Sequence, residues 1–394
     1  MSIHRSVGAV YLLALPALAS AQAPANWDGF TRTFQAYVDA DRNVGASVLL
    51  MRNGQILGQY NTGFSNQATQ QRVSDATLFH WGSITKTLTA VAIMQLRDRG
   101  KLSLDDRVTR YVPELRRVHD PFGAIDSITI RMLLAHTAGF QGSTWPYDQG
   151  RPWEPFEPME WDQLVAMMPY EQLAFRPGTR YSYSNPAFVY LARIIEQLSG
   201  DPWESYVQKN IFAPLRLDRS YFRTTPYYLA DQRSHNYYVR KDSSNVERIS
   251  DNGPDFNPGI TVPNGGWNAP LADLARYVAF LTNAKPHGPA PLASYDVVLA
   301  RKSLQELGQP VQPMGPPPAD ANLPQQWMGM SFFVLKKGER TLLGHTGSQA
   351  AFRAFFYFNP QTTTAIIAAF NTTRQPIASA EYRALMTAVY DLLW

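Results

Sequence analysis

Ser83 and Lys86 stand three residues apart in His80-Trp81-Gly82-Ser83-Ile84-Thr85-Lys86. The apolar-periodic run that follows, Leu88, Val91, Ala92, Met94 and Leu96, reads as an amphipathic helix. With a helix starting at Ser83, hydroxyl and amine project from one face a turn apart and can share a proton. A serine hydroxyl is a poor nucleophile without a neighbouring base, and a helix start favours developing anionic charge. The pair therefore suits nucleophilic catalysis. The plainer alternative is a capping serine beside a solvated lysine, and three-residue spacing alone is weak evidence.

Two further stretches could serve such a nucleophile. Pro177-Gly178 marks a turn and Pro186 a first helical residue, so Tyr183 and Asn185 fall in a tight connection before a helix. A phenol close to an ammonium loses its proton more easily, which would let Tyr183 relay protons to a leaving group. The plainer alternative for Tyr183 is a buried aromatic with a satisfied hydroxyl. Ser250-Asp251-Asn252 and Tyr357-Phe358-Asn359 imitate parts of the pattern. The first is set aside because no helix pattern follows it, the second because it ends an apolar strand at Asn359-Pro360.

The third stretch is His345-Thr346-Gly347-Ser348, at the end of a strand pattern. Gly347 permits close backbone approach, and the Ser348 amide can join the Ser83 amide as an oxyanion hole. His345 can donate a hydrogen bond or a charge nearby. His80 and His136 read as structural. No His pair has metal-ligand spacing, so neither metal nor cofactor is expected.

The elements that must position these residues follow from the rest of the chain. Its 394 residues are 45% hydrophobic and 17% charged, enough for a large core or two lobes sharing a site. With 36 basic and 32 acidic residues and no dense basic block, nucleic acid is an unsuitable partner. Arg5, the apolar stretch Val7 to Ala19 and Ala19-Ser20-Ala21 read as an export signal cut after Ala21. The stretch is too short to span a bilayer and Pro16 interrupts it, so no stable membrane insertion is expected after cleavage, and the product is placed in the periplasm or outside the cell. The chain has no cysteine, which excludes disulfides and thiolate chemistry.

Trp27, Phe30, Phe34, Tyr37 and Val38 recur at helical spacing, and Asn53-Gly54 joins two apolar runs as a hairpin. Helical patterns then occupy 83–99, 129–136, 159–168, 186–198, 203–211 and 272–281. Strand patterns return at 327–335, read as one strand, and at 341–345, 351–358 and 364–370, before a last helix over 377–392. The expected fold is α+β: an antiparallel sheet built from both chain ends (22–80 and 326–394) with flanking helices, and an inserted, mainly helical lobe (81–325). The site would lie between them. An aromatic, proline-stiffened loop over 142–161 is a candidate for selectivity, and 285–324 reads as a flexible linker.

Ser83-x-x-Lys86, Tyr183-x-Asn185 and His345-Thr346-Gly347, in that order, resemble the penicillin-recognising serine hydrolases. The closest branch holds class C β-lactamases, D-Ala-D-Ala carboxypeptidases, D-amino-acid peptidases and related esterases. Leu133 to Phe140, with His136-Thr137-Ala138-Gly139, is similar to a further marker of that family, and so is Gly265-Gly266-Trp267 through Asp273-Leu274-Ala275. The resemblance implies a β-lactamase-like fold and an acyl-enzyme formed on Ser83. Lys86 and Tyr183 would move protons, either being the base. The Ser83 and Ser348 amides would hold the oxyanion, and Asn185, His345, Thr346 and Gly347 would contact substrate. The implied reaction is amide or ester cleavage in small acyl or D-amino-acid peptide substrates. A carboxylesterase, a β-lactamase or a non-catalytic ligand sensor of the same fold are the alternatives. Class C β-lactamases usually carry Lys at the place of His345, and a His there is less suited to the carboxylate of a β-lactam.

Overall fold

The computed structural model describes residues 24–140, 158–320 and 323–394. The proposed signal and nearly all of the aromatic loop lie outside these residues.

A nine-stranded sheet forms the frame. Its order is Gln71–Arg72, Gln55–Asn66, Gly45–Arg52, Thr364–Phe370, Phe352–Phe358, Arg340–Gln349, Phe333–Lys337, Gln325–Met328 and Gln312–Pro313, antiparallel throughout. The two chain ends meet where Gly45–Arg52 pairs with Thr364–Phe370, Leu49 opposite Ile367. Successive side chains on a strand point to opposite faces, and here both faces are covered. Val48, Leu50, Phe355, Ile366 and Ala368 pack under helices Trp27–Ala40 and Ser379–Leu393. Leu49, Met51, Phe356, Ile367 and Ala369 face the large core built with the inserted helices. Double coverage explains why Thr364–Phe370 is apolar without alternation and wholly buried. The fold is α+β, with the sheet built from both chain ends as expected.

Helix Thr85–Asp98 lies at the centre of the large core, every residue from Thr85 to Leu96 buried. The expected amphipathic helix is thus corrected to one enclosed on all sides. Its polar residues are bonded: Thr87 Oγ1 donates to the Ile84 carbonyl at 2.8 Å, Thr89 Oγ1 to Pro263 O at 2.7 Å, and Gln95 Nε2 to Val298 O at 2.7 Å.

The inserted part also contains strands. Leu78–His80, Trp267–Pro270 and Tyr221–Phe222 form a small antiparallel sheet beside the nucleophile turn. Tyr237–Lys241 and Glu247–Asp251 pair as a hairpin.

Two expectations fail here. The apolar run over 327–335 is not one strand: it folds back so that Gln325–Met328 and Phe333–Lys337 pair with each other. Gly329 lies so close to the Leu307 carbonyl that a Cβ would come within 2.6 Å, and Ser331 adopts a φ of 67°. The run of mostly apolar residues from Met328 to Leu335 conceals such a reversal. Nor are the described residues of 285–324 a loose linker. They include helix Arg301–Leu307, which buries Ser303, Leu304 and Leu307. Arg97 pairs with Glu306 at 2.7 Å and Ser303 Oγ donates to Asp98 at 2.6 Å, fastening the segment to the central helix. Among the described residues, no helix is long and apolar enough to cross a membrane.

Candidate active site

The central α-helix begins at Thr85, two residues later than its sequence pattern indicates, and Ser83 sits in a 3₁₀ turn, Gly82–Ile84, that leads into it. Residues i and i+3 eclipse in such a turn, which brings Ser83 Oγ to 3.0 Å from Lys86 Nζ. Gly82 takes a φ of 50°, and a Cβ on it would meet the Ser348 amide nitrogen at 2.8 Å. Thr85 Oγ1 locks the turn by donating to Gly82 O at 2.7 Å and accepting from the Trp267 amide at 3.0 Å.

Lys86 is fully buried. Its Nζ lies 2.6 Å from Asn185 Oδ1 and 2.9 Å from the Asn264 carbonyl, and 4.9 Å from the centre of the Tyr183 ring. Burial disfavours the ammonium and brings the Lys86 pKa well below the ordinary lysine range. A neutral amine has two hydrogens and one lone pair. In that form Asn185 and Asn264 would accept the two hydrogens, leaving the lone pair for the Ser83 hydroxyl hydrogen. Asn185 comes from the residue before Pro186, where helix Pro186–Ser199 begins. Asn264 lies in the short helix Val262–Gly265. Sequence reading missed Asn264, since a backbone carbonyl leaves no mark on residue type; Gly265-Gly266-Trp267 beside it was the only indication.

Tyr183 is held by His136. The His136 carbonyl accepts from the Ser182 amide at 2.9 Å, its Nδ1 accepts from the Ser184 amide at 3.0 Å, and its ring stacks on Tyr183 with centroids 4.4 Å apart. Thus the His read as structural grips the chain on both sides of Tyr183. The expected lowering of the Tyr183 pKa does not occur. Burial raises it, with the Ser83 side chain pulling weakly the other way, and the group is a neutral phenol. The neighbouring Tyr181 acts in the same direction as burial.

Strand Arg340–Gln349 passes along the other side of Ser83. A Cβ on Gly347 would lie 1.9 Å from Trp81 O and 3.3 Å from the Ser83 amide nitrogen, so only glycine allows this approach. The Ser348 amide, beside Gly82, and the Ser83 amide are thereby brought to one place. Thr346, half-buried, precedes them. His345 is buried, stacks on Phe333 at 4.3 Å and lies 6.4 Å from the Tyr183 ring; its Nδ1 is 2.5 Å from Thr346 O. Burial pushes its pKa down to about 3, and any charge on Lys86 acts in the same direction.

Both imitators lie elsewhere. Ser250 and Asp251 end the surface hairpin, and Tyr357 packs under the terminal helices on the far face of the sheet. Among the described residues, no group of three or more His, Asp or Glu could hold a metal ion.

Lys86 Nζ beside the Ser83 hydroxyl, with the Ser83 and Ser348 amides close by, is the arrangement that a serine nucleophile would need. The Beta-lactamase family model matches residues 30–389, and the chain belongs to that family. Among curated relatives it is 24% identical to Protein flp of Staphylococcus aureus (strain COL) over 323 residues, covering 82% of this chain and 58% of that one. The chain therefore spans less than two thirds of the length of the curated relatives it first matches. Among solved structures it is similar to the octameric penicillin-binding protein homologue from Pyrococcus abyssi, with TM-score 0.74, 23% identity, and 93% and 76% of the two chains covered. It is also similar to a class C beta-lactamase, with TM-score 0.72, 20% identity, and 95% and 99% covered.

Proposed function

We propose that the protein is an exported serine hydrolase that forms an acyl-enzyme on Ser83 and cleaves amide or ester bonds in small acyl or D-amino-acid peptide substrates, with peptides favoured over simple esters. The observation that carries this reading is the buried Lys86 Nζ, shared between Ser83 Oγ, Asn185 Oδ1 and the Asn264 carbonyl. Lys86 is the base. It takes the Ser83 proton as Oγ bonds to the substrate carbonyl carbon, and the resulting ammonium keeps its two other acceptors. The carbonyl electrons move onto oxygen, and the Ser83 and Ser348 amides stabilise that oxyanion.

Tyr183, a neutral phenol, gives its proton to the departing amine or alcohol and recovers one from Lys86. Water then attacks the acyl-enzyme by the reverse proton path and frees Ser83. Asn185, Thr346, Gly347 and His345 line the substrate's path. His345 is uncharged, so that edge offers no fixed cation to a substrate carboxylate, which favours peptides and esters over β-lactams. The sequence pattern from Arg5 to Ala21 supports export.

The test is release of nitrophenol from a short-chain nitrophenyl ester and of amine from D-amino-acid peptides, by wild type and by Ser83→Ala, both checked for folding. Turnover by wild type and none by the variant supports the reading. Equal rates, or saturable ligand binding without acyl transfer in both proteins, would overturn it. Rapid nitrocefin hydrolysis would transfer the substrate assignment to β-lactams.

A further inference from the structure

His80 and Gln349 belong to different parts of the chain and neither has a part in the proton path. His80 ends strand Leu78–His80, which leads into the nucleophile turn. Gln349 ends strand Arg340–Gln349, directly after the Ser348 amide. The His80 Nε2 is 3.0 Å from Gln349 Oε1. Gln349 Nε2 in turn donates to Thr261 Oγ1 at 3.0 Å, and Thr261 Oγ1 donates to Pro258 O at 2.5 Å.

The Thr261 bonds fix the orientation of the Gln349 amide. Because the Thr261 hydroxyl hydrogen goes to Pro258, its oxygen must accept from the Gln349 NH₂ group. The Gln349 carbonyl oxygen is then left facing His80 and accepts from Nε2–H. Nδ1 of His80 lies 2.9 Å from Asn268 Oδ1. Phe256 and Phe352 enclose the ring, at 4.8 and 5.9 Å, and the residue is 2% exposed. The Gln349 amide lies directly over Gly265, where a Cβ would come within 2.3 Å of Oε1.

We propose that His80 and Gln349 are positioning residues of the oxyanion hole, tying the strand end that carries the Ser348 amide to the turn that carries Ser83. The proposal rests on the hydrolase reading above. Past Gln349 the chain reverses through Ala350, at a φ of 50°, so the strand end is supported by its hairpin partner on one side and by this tie on the other. The same amide reaches Thr261, three residues before the Asn264 carbonyl that holds Lys86. One side-chain amide therefore sets the distance between oxyanion donor, nucleophile and base anchor. Small misplacements of such donors lower the chemical step far more than substrate binding.

The variants are Gln349→Met, which keeps the side-chain volume and loses both hydrogen bonds, His80→Phe, and the double variant. Active sites are counted by stoichiometric fluorophosphonate labelling. We expect kcat per active site to fall about tenfold to a hundredfold in Gln349→Met with KM changed less than threefold, and the double variant to be no slower than the slower single one. A residue with only a packing role would reduce the number of active sites and leave kcat per site alone. Amide hydrogen exchange over 346–352 reads the tie without turnover and should quicken at least tenfold in Gln349→Met relative to the rest of the sheet. Should the wild type prove inactive, that exchange still decides. Overturning outcomes are kcat per site within twofold of wild type in Gln349→Met, multiplicative losses in the double variant, or unchanged exchange over 346–352.

Discussion

Lys86 Nζ lies 2.6 Å from the side-chain oxygen of Asn185, in a site where burial brings the lysine pKa well below its ordinary range. Asn185 therefore fixes the Lys86 amine beside Ser83, 3.0 Å from its hydroxyl.

Activity should depend on pH accordingly. The reaction needs Lys86 unprotonated, so kcat/KM rises with pH through the lowered Lys86 pKa and reaches its plateau well below the ordinary lysine value of about 10.4. A profile of kcat/KM against pH checks this; a tenfold rise per unit continuing from pH 7 to 9 would be the behaviour of an ordinary ammonium.

The same shift acts on stability. Between the lowered pKa and about 10.4 the unfolded chain holds a proton on Lys86 that the folded protein lacks, so folding stability falls as pH is lowered across that interval. Lys86→Met should abolish turnover, fold, and show a shallower loss of stability on acidification in urea titrations.

His345 works in the same sense at lower pH. The unfolded imidazole takes up a proton below about 6.5, whereas the folded one resists until about pH 3, so stability declines across that window. His345→Asn should flatten the decline, measured as unfolding midpoints at pH 7 and pH 4.

Gly347→Ala places a methyl group against the Trp81 carbonyl and displaces the strand from Ser83. Loss of one oxyanion donor costs roughly 10²–10³ in kcat, and that is the range expected, with KM little changed.

Leu307 tests the packing of a segment that composition alone makes look loose. It is 1% exposed, against the central helix. Leu307→Ala should cost about 2–5 kcal/mol in chemical denaturation; a flexible linker would lose almost nothing.

The candidate catalytic set was legible because the chemistry proposed for it depends on residue type and spacing. Ser83, Lys86, Tyr183 and Asn185 are each a side chain with a distinctive function, and the structure brings all four together. The sheet from both chain ends was legible in the early hairpin and the late apolar runs. What escaped was carried by backbone or by burial. Asn264 acts through a carbonyl, the reversal between Met328 and Phe333 is hidden in a largely apolar run, and the Tyr183 pKa depends on how completely its surroundings exclude water. His136 was recognisable as structural, but the residue it supports was visible only once the chain was folded.

The most direct measurement is intact-protein mass spectrometry of the acyl-enzyme, with peptide mapping, after brief exposure to an activated ester and acid quench. The expected result is a single acyl addition on the peptide containing Ser83, absent in Ser83→Ala and strongly slowed in Lys86→Met. Acylation elsewhere, or an addition that persists undiminished in Ser83→Ala, would contradict Ser83 as the nucleophile.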